Sequence, residues 1–260
     1  MHRLAGALLF WLAAAFAFAQ PLDVLVLLDE SGSMYGNDRP EGAPGRVVAQ
    51  DPEFLRYTAI QCLARKLRPG DQLAVVPFGS HPMGEYRIGF RDPFASVDWS
   101  RLAERGKVGK KQSSGTDYVS AFQQAAEVFG ASSSERARIT ILLSDGDPAS
   151  NVLANVYEEA GRFIEKTGSR LYTIGLGSNF RTDVLTQLAQ TGRGKAFQAS
   201  NPSQLPFQFA EVLRVGGNRE VRTPQQQGTF VVGPLAAELR AISVTPGETP
   251  TFALRSPSGI

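Results

Sequence analysis

The stretch that decides the fold is LDVLVLLDESGS, residues 22–33. Its first part, Val24 to Leu28, is an unbroken apolar run, which is typical of a central β-strand covered on both faces. Its second part, Asp29 to Ser33, places one carboxylate and two hydroxyls, alternating with other residues, on the loop after that strand. Hard oxygen donors of this kind suit a Mg²⁺-like cation, which takes octahedral oxygen ligands and keeps some of its waters.

Beyond this stretch, apolar runs of strand length alternate with apolar residues at helical spacing. The predicted strands are Leu22–Leu28, Gln72–Phe78, Tyr86–Phe90, Ala137–Leu143, Arg170–Leu176 and a short one at Ala196 and Phe197. The predicted helices are Phe54–Leu67, Thr116–Phe129, Val152–Lys166, Arg181–Gln190 and Pro202–Val215, and residues 35–52 are predicted to form an exposed loop. Alternation of this kind indicates the α/β class, with a doubly wound, mostly parallel sheet flanked by helices.

Two later segments are expected to lie beside the loop of Asp29. Ser114-Gly115-Thr116-Asp117 leads into a predicted helix, and Leu143-Ser144-Asp145-Gly146 ends a predicted strand. Ligands in open α/β sheets bind beyond the carboxyl ends of the strands, near the point where the strand order reverses. The three segments can therefore supply oxygen ligands to one site.

The order Asp-x-Ser-x-Ser, then a distant Thr and a distant Asp, resembles the metal-ion-dependent adhesion site of von Willebrand factor type A domains. The resemblance covers roughly residues 22–215, and three separated segments match in the right order. It implies the Rossmann-like fold of that family and a Mg²⁺ ion, with Mn²⁺ as second choice and Ca²⁺ less favoured. The metal-site residues that it implies are Asp29, Ser31, Ser33, Thr116 and Asp145.

The resemblance also implies how the site works. The hydroxyls of Ser31, Ser33 and Thr116 would bind the ion directly, while Asp29 and Asp145 would hold it mainly through water. Neutral ligands leave most of the charge of the ion unneutralised, so that it still attracts an anion. The implied function is a protein-binding or adhesion module that presents the ion to an exposed Asp or Glu of a partner protein, without catalysis.

Two other classes of function stay open at this stage. A magnesium-dependent phosphotransferase of the haloacid dehalogenase type also begins with Asp after its first strand. That chemistry needs a second carboxylate two residues later, where this chain has Ser31. The third class is a structural domain whose metal site is vestigial.

Composition excludes some partners and fits an ordinary globular protein. The chain has 260 residues, 42% apolar and 20% charged, with a formal net charge of +2. The near balance of charge, without a basic stripe interleaved with aromatic residues, predicts no nucleic-acid binding, and no small-molecule substrate is expected. The single cysteine, Cys62, cannot form an internal disulfide and is predicted to be a buried, inert thiol.

Residues 1–19 have the pattern of a secretory signal peptide. Arg3 is followed by the uncharged stretch Leu4 to Ala19, which ends in the small-x-small sequence Ala17-Phe18-Ala19. The expectation is an exported protein that is periplasmic, envelope-associated or secreted. The alternative is an uncleaved anchor, although the stretch is shorter than the roughly 20 residues of a membrane span.

Residues 20–217 are predicted to form the α/β domain, and the pattern changes after Gly216-Gly217. Residues 218–260 contain three β-like runs separated by turns, at 229–232, 238–244 and 251–254. This extension is too short for an independent sandwich, so we expect part of a truncated β-sandwich domain. The alternative is that these strands pack onto the α/β domain. A missing C-terminal part would be a second possible route to a membrane.

Overall fold

The computed structural model describes residues 20–36, 44, 48–80, 83, 86–93, 115–130, 135–146, 148, 150–178 and 180–217. The strands in these ranges are β1 Leu22–Asp29, β2 Gln72–Phe78, β3 Ile88–Arg91, β4 Ala137–Ser144, β5 Arg170–Leu176 and β6 Ala196–Ala199. The α-helices are α1 Gly32–Tyr35, α2 Leu55–Lys66, α3 Tyr118–Gly130, α4 Leu153–Thr167, α5 Thr182–Thr191 and α6 Leu205–Gly216.

The strands form one six-stranded sheet in the order β3-β2-β1-β4-β5-β6. Neighbouring strands are parallel except for β3, which runs antiparallel to β2 at the edge. Helices cover both faces of this sheet, so the predicted α/β class with a mostly parallel, doubly wound sheet is confirmed.

The apolar run of β1 is explained by burial on both faces of the sheet. Val24, Val26 and Leu28 belong to a core that includes apolar residues of α2 and α6. Leu25 and Leu27 point to the opposite core, which includes residues of α3, α4 and α5. Because successive side chains of a strand alternate between its faces, a strand between two helical layers must be apolar throughout.

The position of β1 creates the crevice in which a ligand site is expected. The chain leaves β1 to form β2 on one side, and β4 lies on the other side. In the register, Asp29 is opposite Phe78 of β2, and Leu28 is opposite Leu143 of β4. The carboxyl ends of three adjacent strands therefore meet where the strand order reverses.

Two helices begin more than one residue later than the sequence predicts. The α3 helix begins at Tyr118 because the Asp117 carboxylate caps it, with Oδ1 accepting a hydrogen bond from the Ser120 amide at 3.1 Å. Thr116 thus lies in the loop before the helix. The 3₁₀ turn Pro202–Gln204, capped by Asn201, precedes α6.

The predicted exposed loop at residues 35–52 is wrong for two residues that the structure describes. Tyr35 and Asp51 are buried, with exposed fractions of 7% and 0%. The backbone amides of Gln50 and Asp51 donate to the carbonyls of Ser33 and Met34, both at 3.1 Å. The end of this segment therefore packs back onto the loop that follows β1. Residues 37–43 and 45–47 lie outside the described ranges.

Several other expectations concern the chain ends and the cysteine. Residues 1–19 and 218–260 lie outside the described ranges, so the signal peptide and the β-rich extension stay predictions. None of the helices in the described ranges combines the length and apolar character that crossing a bilayer requires. Cys62 is a buried free cysteine in α2, as predicted, and burial raises the pKa of its thiol.

Candidate metal centre

The five predicted site residues converge beyond the carboxyl ends of β1 and β4. Asp29 is the last residue of β1, Ser31 is the N-cap residue of the short helix α1, and Ser33 lies in its first turn. Asp145 comes directly after β4, and Thr116 lies in the loop before α3. Three loops that are distant in sequence therefore border the same small volume.

A hydroxyl–carboxylate cluster forms the centre of this site. The hydroxyl oxygens of Ser31 and Ser33 are 3.0 Å apart. Ser33 donates to Oδ1 of Asp145 at 2.8 Å, and Ser31 approaches the same oxygen at 3.5 Å. Two neutral oxygens and one carboxylate oxygen are thus gathered within hydrogen-bonding distance of one another.

Gly146 brings the Thr116 loop against this cluster. A Cβ atom at position 146 would lie 2.5 Å from Oγ1 of Thr116 and 3.4 Å from Oδ2 of Asp29. The first of these distances is too short for any side chain, so the close approach of the two loops requires glycine here. The Thr116 loop is fixed on its other side by the Asp117 amide, which donates to the Gly79 carbonyl at 2.7 Å.

Asp29 is oriented by hydrogen bonds to both of its carboxylate oxygens. Its Oδ1 accepts from the Ser31 amide at 2.8 Å, and its Oδ2 accepts from the Ser144 hydroxyl. Ser144 in turn accepts from the Tyr118 hydroxyl at 2.8 Å. These bonds fix the direction in which Asp29 faces the serine loop.

Sequence reasoning did not assign a role to Ser144 or Tyr118. Ser144 stands directly before Asp145, so its place at the strand end was a usable signal. Tyr118 is buried on α3, and its sequence pattern resembles that of any core aromatic residue. Only the packing of α3 against the sheet brings its hydroxyl to Ser144.

The residues present fit a divalent cation. Oδ2 of Asp145 is buried and has no hydrogen-bond partner among the described residues. A buried carboxylate oxygen without a donor is unfavourable, and a bound cation is one group that can compensate it. The side-chain polar atoms of the five predicted residues are all oxygens, the ligands that Mg²⁺ and Mn²⁺ prefer. The described ranges contain no group of three His, Cys, Asp or Glu side chains that could hold a metal ion. The cluster here combines carboxylates with serine hydroxyls.

The electrostatics of Asp29 and Asp145 also favour a bound cation. Burial raises the pKa of Asp29 above its usual value. Burial, followed by the nearby charge of Asp29, raises the pKa of Asp145 to about 7. Two buried carboxylates repel each other when both are ionised, and a cation beside them would favour the ionised form of both.

The family comparison gives one match by sequence. A model of the von Willebrand factor type A domain matches residues 23–211. A search of curated protein sequences found no match.

Similar solved structures come from widely separated organisms. Proximal thread matrix protein 1 from the mussel byssus, with a zinc-occupied MIDAS motif, has 20% identity and a TM-score of 0.53, covering 75% of this chain and 46% of that one. The pilus adhesin SpaC from Lactobacillus rhamnosus GG has 12% identity and a TM-score of 0.55, covering 75% and 30%. The manganese-loaded TRAP protein of Plasmodium vivax has 17% identity and a TM-score of 0.50, covering 73% and 72%.

These likenesses are informative about architecture. The part of the mussel protein and of the pilus adhesin that this chain matches is less than half of each protein. At such low identities the structural similarity shows the shared fold alone.

Proposed function

The chain belongs to the von Willebrand factor type A domain family, and from that premise we propose that it is a metal-dependent protein-binding module. Asp29, Ser31, Ser33, Thr116 and Asp145 would hold a divalent cation, Mg²⁺ by preference and Mn²⁺ as second choice. The cation would present an open position to a carboxylate on the surface of a partner protein. Binding, and no covalent chemistry, is the activity.

One observation carries this proposal. The buried Asp145 carboxylate has one oxygen bonded to the Ser33 hydroxyl and the other without a hydrogen-bond partner in the described part of the chain. Serine and threonine hydroxyls would contribute neutral oxygens directly to the ion. The carboxylates of Asp29 and Asp145 would supply negative charge through water. The bound ion would then keep enough positive charge to attract an external anion.

The position of Glu30 supports binding over catalysis. A phosphotransferase of the haloacid dehalogenase type needs a second free carboxylate near Asp29 as its acid and base. Glu30 is the adjacent carboxylate in sequence, but Arg56 and Tyr57 on α2 engage both of its oxygens. Residue 31, where that chemistry would place the second carboxylate, is serine. We therefore assign the site no enzymatic role.

Structural neighbours support the divalent ion and the interaction role. The mussel matrix protein has zinc at its MIDAS motif, and the Plasmodium vivax TRAP protein is manganese-loaded. SpaC is a pilus adhesin. By analogy we propose that this chain acts outside the cytoplasm, after export directed by residues 1–19, with residues 218–260 belonging to a separate β-rich domain.

Metal titration of the full chain tests the proposal. Isothermal titration with Mg²⁺ or Mn²⁺ should show binding at one site, and Asp29→Ala should abolish it. Asp183→Ala is the matched control, because this exposed aspartate lies at the start of α5 and pairs with Arg181 at 2.6 Å. The control should bind like the wild type. No binding in the wild-type chain would contradict the proposal.

A capture experiment separates the binding module from the alternatives. Proteins retained from an envelope fraction by the immobilised full chain with Mg²⁺ should be lost with EDTA and with Ser33→Ala. If the same proteins were retained in EDTA and by the Ser33→Ala variant, metal-mediated binding would be excluded. Hydrolysis of p-nitrophenyl phosphate that Asp29→Ala removes would instead favour the phosphotransferase.

A further inference from the structure

A cluster of buried charges lies against the loop that carries the two serines. Glu30 stands between Asp29 and Ser31, yet it is only 1% exposed. Its partner is Arg56 on α2, which is 0% exposed and donates from Nη2 to Oε2 of Glu30 at 2.8 Å. The Nε atom of Arg56 also approaches Oε1 at 3.4 Å. The guanidinium and the carboxylate therefore face each other in the two-point geometry that arginine favours.

The same arginine reaches a second buried carboxylate. Nη1 of Arg56 donates to Oδ2 of Asp51 at 2.7 Å. Asp51 also accepts from the backbone amides of Leu55 at 2.7 Å and Arg56 at 3.1 Å, which caps the start of α2. Arg56 thus connects the amino end of α2 to Glu30 in the serine loop.

Backbone hydrogen bonds extend this connection to the serines themselves. The Asp51 amide donates to the Met34 carbonyl, and the Gln50 amide donates to the Ser33 carbonyl. On the opposite side, the Glu30 amide donates to the Phe78 carbonyl of β2 at 2.8 Å. The serine loop is therefore held at Glu30 and again at Ser33–Met34 by the segment that Arg56 fixes.

Aromatic side chains hold the guanidinium in place. Its central carbon lies 4.6 Å from the ring centre of Tyr35 and 4.5 Å from that of Tyr57, within the range of cation–π attraction. The Tyr57 hydroxyl donates to Oε1 of Glu30 at 2.6 Å. Phe54 precedes α2 with a φ of 60°, a left-handed conformation that residues other than glycine seldom adopt.

We propose that Arg56 is a positioning residue for the metal site. Its hydrogen bonds go to Glu30, Asp51 and Tyr57, and through them it sets the conformation of the loop that presents Ser31 and Ser33. Replacing a buried ion cluster by apolar residues is often neutral or stabilising, so stability alone is a weak reason for this arrangement. The inference rests on the proposed function, because it concerns the affinity of that same site for its cation.

The test compares two arginine-to-lysine changes in the full chain. Lysine carries its donors on a single nitrogen and cannot reproduce the contacts that Nε, Nη1 and Nη2 of Arg56 make with Glu30 and Asp51. Arg56→Lys should therefore raise the Mg²⁺ dissociation constant by about 10- to 100-fold. Arg136→Lys is the matched control, because Arg136 pairs with the buried Asp23 near the amino end of β1, the strand that ends at Asp29. Asp23 is six residues from Asp29, or about 20 Å along an extended strand. The control should lower the melting temperature and leave the dissociation constant unchanged.

Two further measurements separate positioning from folding. The electron paramagnetic resonance spectrum of bound Mn²⁺ should change in Arg56→Lys, because the serine ligands are displaced, and should stay as in the wild type in Arg136→Lys. Tyr57→Phe removes one hydrogen bond to Glu30 and keeps every charge. It should weaken Mg²⁺ binding severalfold, and it provides the test if Arg56→Lys does not fold.

The outcomes are distinguishable. Wild-type affinity and spectrum in both Arg56→Lys and Tyr57→Phe would overturn the positioning role and leave the proposed function intact. Equal weakening in Arg136→Lys would also overturn it, since general destabilisation would then explain the loss. A wild-type chain that binds no metal would overturn the proposed function and this inference together.

Discussion

At the scale of single residues, Asp145 shows what burial does to a carboxylate at the carboxyl end of a central strand. It is 5% exposed, and its neighbour Asp29 is fully buried. Burial and the adjacent negative charge both disfavour ionisation, which raises the pKa of Asp145 to about 7. The raised pKa means that the folded, metal-free chain favours the protonated carboxyl more than the unfolded chain does.

This shift predicts how the stability of the metal-free chain depends on pH. The pKa of Asp145 is higher in the folded chain than in the unfolded chain. Its contribution to stability is therefore fully present when the pH is below the pKa of the unfolded chain, and it is lost as the pH rises through about 7. In EDTA, the melting temperature should fall from pH 5.5 to pH 8. Asp145→Asn should reduce that fall.

The control for this prediction is Asp183→Asn. Asp183 is exposed, and its hydrogen bonds to Arg181 hold its pKa at about 2, outside the tested range. This variant should keep the pH dependence of the wild type. The same pH dependence in the wild type and in Asp145→Asn would contradict the prediction.

At the scale of elements, the ends of the strands and helices matter more than their interiors. The residue after β4, the turn after β1 and the loop before α3 each contribute to the site. Gly146 allows two of these loops to touch, since the point where its Cβ would be is 2.5 Å from the Thr116 hydroxyl. The close contact of the two loops thus depends on residue 146 being a glycine, which has no side chain.

Gly146→Ala should therefore displace the Thr116 loop. We expect weaker Mg²⁺ binding by titration calorimetry together with a loss of stability in urea unfolding. Gly161→Ala is the control, because Gly161 lies within α4 and its Cβ would have no atom of the described residues within 4 Å. That change should stabilise the chain by about 0.5–1 kcal/mol, the usual gain from replacing glycine by alanine in a helix. Unchanged metal affinity in Gly146→Ala would show that the loop contact is unimportant.

At the scale of the whole molecule, the site is part of the folded sheet. Asp29 and Asp145 lie at the carboxyl ends of β1 and β4, two adjacent parallel strands whose apolar residues belong to both cores. Residues this far apart in sequence come together only when the sheet is formed. Metal binding and folding should therefore be coupled.

The coupling predicts a metal-dependent melting temperature for the full chain. A ligand that binds only the folded state, at 100 times its dissociation constant, stabilises that state by about 2.7 kcal/mol. Saturating Mg²⁺ should raise the melting temperature measured by circular dichroism, and EDTA should reverse the increase. Asp29→Ala should show neither effect. An equal increase in that variant would mean that the ions act elsewhere on the protein.

Some features of this fold have local causes in the sequence, and others depend on residues that are distant in the sequence. Apolar runs such as Val24–Leu28 identified the strands, because burial on both faces demands them. The sequence predicts the start of α3 two residues too early, since Thr116 and Asp117 are polar residues that either a helix or its cap can accommodate. The burial of Tyr35 and Asp51 in a polar, glycine-rich segment had no local signal.

The sequence by itself determined the α/β class and predicted the five site residues. Short local patterns are sufficient to indicate buried strands, helical spacing and oxygen donors. The tertiary structure alone decided how those residues are held. Glu30 is 26 residues from Arg56, and their pairing exists only because α2 packs beside the end of β1. The Asp145 oxygen that has no hydrogen-bond partner among the described residues, and the approach of Tyr118 to Ser144, are likewise products of packing. The energy of a buried charge depends on neighbours that only the folded chain provides.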